Sequence, residues 1–568
     1  MAEHDALASD PGHPNRALLK NFRLILKIRQ DCARGRAVVD EQVAKKRIQL
    51  RARLGLDPDG GTLLLRTFAL ALSLAVSAGG SVLAEDPITL RIMSFNIWYG
   101  GEQVDFQQVI EAIKAADADI VGLQEPDGNT ARIAAAAGYS YVDLRRHIIS
   151  RVPLFDSGLG ARTETGPAPY SMAALDSTAV HAWALVAPGQ VVAVANLHLT
   201  SDPYGPNAVR DGETPDAVLA VEAGTRMPEI EPFAAALEPL ITAGIPVFVT
   251  GDFNTPSHLD WTEATVGLLP ERRFPVVWPV TARMEAAGFT DSYRAVHPDP
   301  VTRPGLTYSP GFPHPVMLPG ETMDRIDYVF AANATPVASQ IVGEAGNPDV
   351  AIPLMPWPSD HRAVVSTFSL TPVLAPALVT VEPRLIPEGE TFLVRVNSPD
   401  RANWSVSIVP RDGDPATATI TGVEGIEAYW RASVKFSTLD LAPGPYDAVM
   451  LGIDGKELTR TRFSVTSADG AASVRVLTPE VRAGDPVTVQ WSGAPGMRFD
   501  WIGIYRQNEP SVYNYLAFAY TGGLLEGEMT LTPDLYYQDL GPGAYEIRLL
   551  ADDHYVTLAR APFTISAP

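Results

Sequence analysis

The sequence predicts an α/β layered domain followed by two all-β sandwich domains. Three observations carry this. The chain has 568 residues, too many for one hydrophobic core and enough for about three or four domains. From Ile88 to about Thr371 strand-like and helix-like segments alternate, the pattern of layered α/β structure. After Pro372 the chain changes to short alternating runs punctuated by Pro and Gly, with no long helix. A composition of 46% hydrophobic and 19% charged residues, with 45 Gly and 49 Pro, fits folded, loop-rich structure.

In chain order, the first element is an address. Arg66 precedes an uncharged run from Thr67 to Ala84 whose apolar part, Phe68 to Val76, gives way to small residues ending Val82-Leu83-Ala84. That order predicts a signal peptide over residues 63–84, cleaved after Ala84, and a secreted or periplasmic location. The apolar run is short for a span of about 20 residues, so a membrane anchor is the minor alternative. Residues 1–62 hold 12 Lys/Arg against 8 Asp/Glu; they are read as an untranslated extension, or else as a cytoplasmic tail. Cys32 is the sole cysteine, so the chain offers no disulfide partner and any metal must be held by oxygen and nitrogen. The net charge of −22 becomes −27 once residues 1–84 are removed, which argues against electrostatic capture of nucleic acid over a broad surface.

The α/β domain is assigned to residues 85–372. Strands are predicted at Thr89 to Phe95, Asp119 to Gln124, Val191 to Leu197, Pro246 to Thr250, Ile326 to Phe330 and Ala363 to Phe368. Helices are predicted at Asp105 to Ala116, with Phe106, Val109, Ile110 and Ile113 on one face, and across Ile230 to Ile241. Ser201 to Pro215 reads as a surface loop. The segment Leu370 to Pro376 reads as a joint, so a chain ending near Leu374 is expected to fold alone.

Residues 376–468 and 471–568 read as two copies of one unit. Leu441-Ala442-Pro443-Gly444-Pro445-Tyr446 recurs as Leu540-Gly541-Pro542-Gly543-Ala544-Tyr545, Phe463 as Phe563, and Glu388-Gly389 as Ala483-Gly484. Trp404, Ile408 and Arg411 are loosely echoed by Trp501, Ile504 and Arg506. A period near 95–100 residues of short strands points to tandem immunoglobulin-like sandwiches. The second copy also resembles the SKICH-type sandwich, through Asp500 to Arg506 and Gly543 to Leu550.

Polar residues in the α/β domain cluster where strands end, which is where open-sheet enzymes keep their sites. Asn96 follows RIMSF, Glu125 follows DIVGLQ, His198 sits in VANLHL, Asp252 and Asn254 follow PVFVTG, Asp327 lies in RIDYVF, and Asp360-His361 precede AVVSTF. Any one could be a cap or turn residue. Six places that together supply carboxylate, amide and imidazole groups point to a site.

With these residues the chain resembles the endonuclease/exonuclease/phosphatase superfamily over Pro87 to Thr371, most specifically through Gln124-Glu125, Gly251-Asp252-Phe253-Asn254, Arg325-Ile326-Asp327-Tyr328 and Ser359-Asp360-His361. The resemblance implies a four-layered α/β sandwich of the DNase I-like kind with the site at one edge of two packed sheets. It implies a metal-dependent phosphoric ester hydrolase. Hard oxygen donors favour Mg²⁺, Mn²⁺ or Ca²⁺, with Glu125 as principal ligand and Asn96 and Asp360 beside it. Asp252 would orient or deprotonate the attacking water and Asn254 would fix that water or a phosphate oxygen. His361, kept cationic by Asp327, and His198 would donate to the phosphoryl oxygens. Thr307-Tyr308 resembles a supporting element of the family. His258 reads as a surface histidine, and Trp261, Trp278 and Trp357 as core.

The motif neighbours narrow the substrate. Thr255 and Pro256 stand where inositol polyphosphate 5-phosphatases carry a basic residue, and an acidic exported chain does not suit genome repair. A phosphodiesterase acting on a lipid or small diester is preferred. A secreted DNase-like endonuclease, and a non-catalytic binding or adhesion protein on a degenerate scaffold, are the alternatives. The sandwiches are expected to bind a surface or protein partner.

Overall fold

The structure, a computed structural model, describes residues 87–157 and 180–567, except 399–403, 419, 423–431, 467–471, 478–479, 498–499, 511, 513, 537–539 and 552–555. The predicted extension and signal peptide lie outside the described residues. Among those described, no helix is long and apolar enough to cross a membrane.

Among its described residues the α/β domain carries thirteen strands: β1 (Ile88–Asn96), β2 (Ile120–Gln124), β3 (Tyr141–Asp143), β4 (Ile148–Ser150), β5 (Leu154–Asp156), β6 (His181–Ala187), β7 (Gln190–His198), β8 (Val247–Asp252), β9 (Thr290–Asp291), β10 (Asp327–Ala332), β11 (Thr335–Glu344), β12 (Val350–Leu354) and β13 (Ala363–Leu370). They form two mixed sheets, one in the order β12-β11-β13-β1-β2-β4-β3 and the other β5-β6-β7-β8-β10-β9. The period-2 alternation of strands explains how the sheets stack. On β1, Ile92 faces the second sheet, in a core with Ile120, Val194, Phe248 and Val364. Its neighbours Met93 and Phe95 point the other way, onto helix α1 (Phe106–Ala116) through Val109, Ile110 and Ile113. On β8, Phe248 joins the inner core while Val247 and Val249 meet Ile230, Ala234 and Leu237 of a helix at Met227–Thr242. Helix, sheet, sheet, helix are the four layers.

Helix α1 begins where predicted, with the Asp105 side chain accepting from the Gln107 N–H, and it stops at Asp117 in left-handed backbone. The Ser201 to Pro215 stretch departs from the expected loop. Gly205–Arg210 is helical, with Pro206 in its first turn, and Tyr204 and Val209 are buried. Val209 joins a small core with Trp261 and Trp278, and that burial outweighs the polar, Pro-rich composition which suggested an open loop.

Both β-rich units are sandwiches of a three-stranded and a five-stranded sheet. In the first, Leu378–Glu382, Thr391–Asn397 and Ala432–Ser437 face a sheet in the order 385–387, 457–466, 444–451, 405–410, 420–422. The second repeats this order strand for strand. In the recurring LxPGxY segment the tyrosine hydroxyl closes back on the chain: Tyr446 Oη donates to the Ala442 carbonyl at 2.9 Å and Tyr545 Oη to that of Gly541 at 2.8 Å. Tyr446 pairs across strands with Phe463, as Tyr545 does with Phe563. The tryptophan echo is corrected. Trp404 fills the first sandwich's core, whereas Trp501 lies outside the second core, in an aromatic group with Tyr505 and Phe518. Pro410 opposite Tyr446 and Arg506 opposite Tyr545 set an offset under which Ser405, not Trp404, matches Trp501.

The expected joint is part of the fold. Val373–Leu374 forms β14, which pairs with β7, and Ala375 and Leu378 are buried in the core beneath the second sheet. Arg384 reaches Asp156 at 3.4 Å.

Candidate active site

Strand register assembles the site. On neighbouring strands, His198 and Asp327 both lie opposite Asp252, and Asn96 lies opposite Gln124, next to Glu125. The two sheets are clamped directly beneath. Gln124 Nε2 and Thr250 Oγ1 both donate to Asn196 Oδ1, at 2.6 and 2.8 Å. Only glycine fits at 122, since a Cβ there would stand 1.9 Å from Thr250 Oγ1. The clamp brings Asn96 of one sheet against Asp252 of the other.

Asp252 is the hub. Its Oδ2 accepts from Asn96 Nδ2 at 2.9 Å, and His198 Nε2 and His361 Nε2 stand 3.4 and 3.6 Å away. His361 Nδ1 is 3.0 Å from Asp327 Oδ2. Burial alone would lower the His361 imidazole, but the Asp327 and Asp252 carboxylates outweigh it and hold it well above its ordinary value. Burial pushes the Asp327 carboxyl up, against the pull of His361. Three groups fix Asp327 and His361 in place. Thr307 Oγ1 accepts from the N–H groups of Ile326 and Asp327, Trp357 Nε1 donates to the His361 carbonyl at 2.7 Å, and the Tyr308 ring lies 4.9 Å from the imidazole. Ser359 Oγ ties this segment to the Asn96 carbonyl at 2.7 Å.

A second group of acids adjoins the first. Glu125 accepts from Asn96 Nδ2 at 3.3 Å and from the Tyr99 N–H at 3.0 Å. Asp127 and Asp360 are each pushed up to about 6, first by burial and then by the charge of Glu125; for Asp360 the neighbouring His361 opposes the rise. Among the described residues no lysine or arginine pairs with Glu125, Asp127 or Asp360. A cluster of hard oxygens whose like charges raise one another is what a divalent cation would relieve. One ligand atom each of Asp252, Asp327 and His361 also lies within 4.8 Å of the others, and the three could hold a metal, although a ligating imidazole must be neutral and the neighbouring carboxylates hold that of His361 well above its ordinary value.

All eight residues singled out in the sequence therefore lie in one region or at its edge. Asn254 is the least free of them. Its backbone is left-handed at φ 50°, its N–H donates to Asp252 Oδ1, and its Nδ2 donates to the Leu199 carbonyl at 2.8 Å, so its amide braces the loop after β7. Glu125 is left-handed too, at φ 54°, a backbone cost that recurs where sites aim side chains. Asp127 was missed; its place two residues after Glu125 in Glu-Pro-Asp-Gly was the available signal. His258 is held by Thr281 and Glu285, away from this cluster's hydrogen bonds, and Trp261, Trp278 and Trp357 are buried, as expected.

Two mixed sheets close over a buried Asp–His hub, and comparison gives the family of this domain. Residues 93–361 match the endonuclease/exonuclease/phosphatase family. An uncharacterized protein of Caenorhabditis elegans is 30% identical over 301 residues, 49% of this chain and 91% of that protein. The chain belongs to the endonuclease/exonuclease/phosphatase family, whose members are generally hydrolases of phosphoester bonds. Among solved structures it is similar to a family member from Beutenbergia cavernae, at 18% identity and TM-score 0.29, covering 66% of this chain and all of that one. Another, from Bacteroides thetaiotaomicron, is 16% identical with TM-score 0.27, covering 50% of this chain and 96% of that one.

Proposed function

We propose that this chain is an exported, divalent-metal-dependent phosphodiesterase. The observation that carries the reading is the convergence of Asn96, His198 and His361 on one carboxylate oxygen of Asp252, with Asp327 behind His361. Asp252, held in place by Asn96 Nδ2, takes the proton of the attacking water. The water oxygen bonds to phosphorus as the P–O ester bond breaks, and the released alkoxide takes up a proton. His361 donates from Nε2 to a non-bridging oxygen as negative charge builds, which costs little reorganisation because Asp327 already orients the ring. His198, whose side chain is one-third exposed, does the same from the cleft wall. Glu125, Asp360 and Asn96, joined by Asp127, would hold Mg²⁺, Mn²⁺ or Ca²⁺, which when bound offsets phosphate charge.

The nuclease reading is the weaker. A net charge of −22 and a hub whose cationic groups are histidines provide little to grip a polyanion. Export rests on the leader pattern at residues 63–84, and the N-terminal sequence of the exported protein tests it. Activity is tested with bis(p-nitrophenyl) phosphate: turnover in Mg²⁺, loss in EDTA and loss in Asp252→Asn are expected. Undiminished turnover in EDTA would overturn the metal reading.

A further inference from the structure

We infer that the loop at residues 310–320 sets the chain down on a zwitterionic phospholipid bilayer, and that the site takes phospholipid headgroup esters presented there. The substrate half rests on the phosphodiesterase reading; the surface contact does not.

Residues 304–320 contain no Asp, Glu, Lys or Arg, within a chain of net charge −22. Their tip is fully turned to solvent, Pro315 to Gly320 all being exposed. Val316, Met317 and Leu318 stand there in succession, 55, 42 and 48% exposed. Surface loops are ordinarily polar, and consecutive exposed apolar side chains mark a place that water does not cover in use.

The exposure is built in. Prolines at 310, 313, 315 and 319 restrict the backbone. The Phe312 N–H donates to the Val316 carbonyl at 2.6 Å, Val316 N–H to Pro313 at 2.8 Å, and Glu321 N–H to Leu318 at 3.2 Å. The turn therefore holds its apolar side chains outward instead of folding them under.

The loop also leads into the site. From His361 the rings run to Tyr308 at 4.9 Å, on to Phe312 at 5.8 Å and to Trp98 at 6.2 Å. The loop that carries Val316 to Leu318 thus stands, at Phe312, two ring contacts from His361.

Size and charge favour a bilayer over a protein. Three side chains on a convex turn are far short of the roughly 800 Å² per partner of a stable protein interface. Interfacial binding to lipid adds up from a few apolar side chains and needs no matching shape. The acidic chain is repelled by anionic lipid, and the arginine that reaches the loop, Arg210 at the Gly320 carbonyl, is already paired with Asp211, so the surface it fits is zwitterionic.

The test uses the full chain and phosphatidylcholine vesicles, with and without sphingomyelin. In EDTA, wild type should sediment with the vesicles equally in 0.15 and 0.5 M NaCl, and a Val316→Asp/Met317→Asp/Leu318→Asp variant should bind about tenfold or more weakly. Met317→Trp should bind more tightly than wild type. In Mg²⁺, turnover of bis(p-nitrophenyl) phosphate should be equal in all three, while hydrolysis of vesicle lipid follows binding. Wild type that stays in solution, or a triple variant that binds as wild type does, overturns the contact. Loop substitutions that instead abolish a concentration-dependent dimer would make the loop an interface between copies and overturn it as well. Vesicle binding and diester turnover without lipid hydrolysis overturn the substrate class. Vesicle binding with no diester turnover overturns the phosphodiesterase reading and leaves the contact standing.

Discussion

Asp327 is wholly buried and His361 nearly so, so their pairing at 3.0 Å is shielded from the screening that weakens exposed ion pairs. On the proposed mechanism, in which His361 acts as charge builds in the transition state, His361→Ala should cut kcat by about 10²–10³ while KM moves little. Asp327→Asn should act in the same direction but less, and steady-state kinetics on a soluble diester reads both. The second acid group has the opposite character. Asp127 and Asp360 are raised to about 6 in the fold, so without metal their protons favour the folded state. The stability they contribute is fully present below about pH 4 and is lost as pH rises through about 6. Thermal melts in EDTA should show wild type losing more stability than Asp127→Asn between pH 4.5 and 7.5. The gap should narrow in Mg²⁺, and parallel melting curves would count against the assignment.

At the scale of strands, the site depends on two sheets approaching closely at one point. A Cβ at Gly122 would fall 1.9 Å from Thr250 Oγ1 and 2.4 Å from Asn196 Oδ1, so Gly122→Ala must push the sheets apart. A loss of about 1–3 kcal/mol or more, accompanied by loss of turnover as Asn96 leaves Asp252, is expected in denaturant titration and diester assay. The strands that carry the site were legible because each is a mostly apolar run with a polar residue at one end or just beyond it, as at Phe95-Asn96, Gly251-Asp252 and Asp327-Tyr328. The residues that hold them in place were not. Thr307 acts on Asp327 from 20 positions away, and Trp357 looks in the sequence like any core tryptophan while its N–H positions the His361 carbonyl. The helix at Gly205–Arg210 was illegible for a similar reason: it is stabilised by Val209 meeting Trp261 and Trp278, a contact that local composition does not encode.

At the scale of the whole molecule, the α/β domain either stands alone or depends on the first sandwich. Its length alone suggested that it would, with the chain divisible near Leu374. The packing argues otherwise. β14 extends the second sheet, the Ala375 N–H donates to the Gly189 carbonyl at 2.8 Å, and Leu378, though it begins the first strand of the first sandwich, is buried in the α/β domain's core with Phe155 and Val191. A cut at Leu374 would open that core, and the ion pair of Arg384 with Asp156 would go with it. The α/β domain and the first sandwich should thus unfold together. Leu378→Ala should cost about 2–5 kcal/mol, as a buried leucine does when a cavity is left, and should lower the temperature at which soluble-diester turnover is lost as far as it lowers the calorimetric midpoint. A calorimetric transition that moves while the thermal loss of turnover stays where it was would show two independent units and restore the divisible chain.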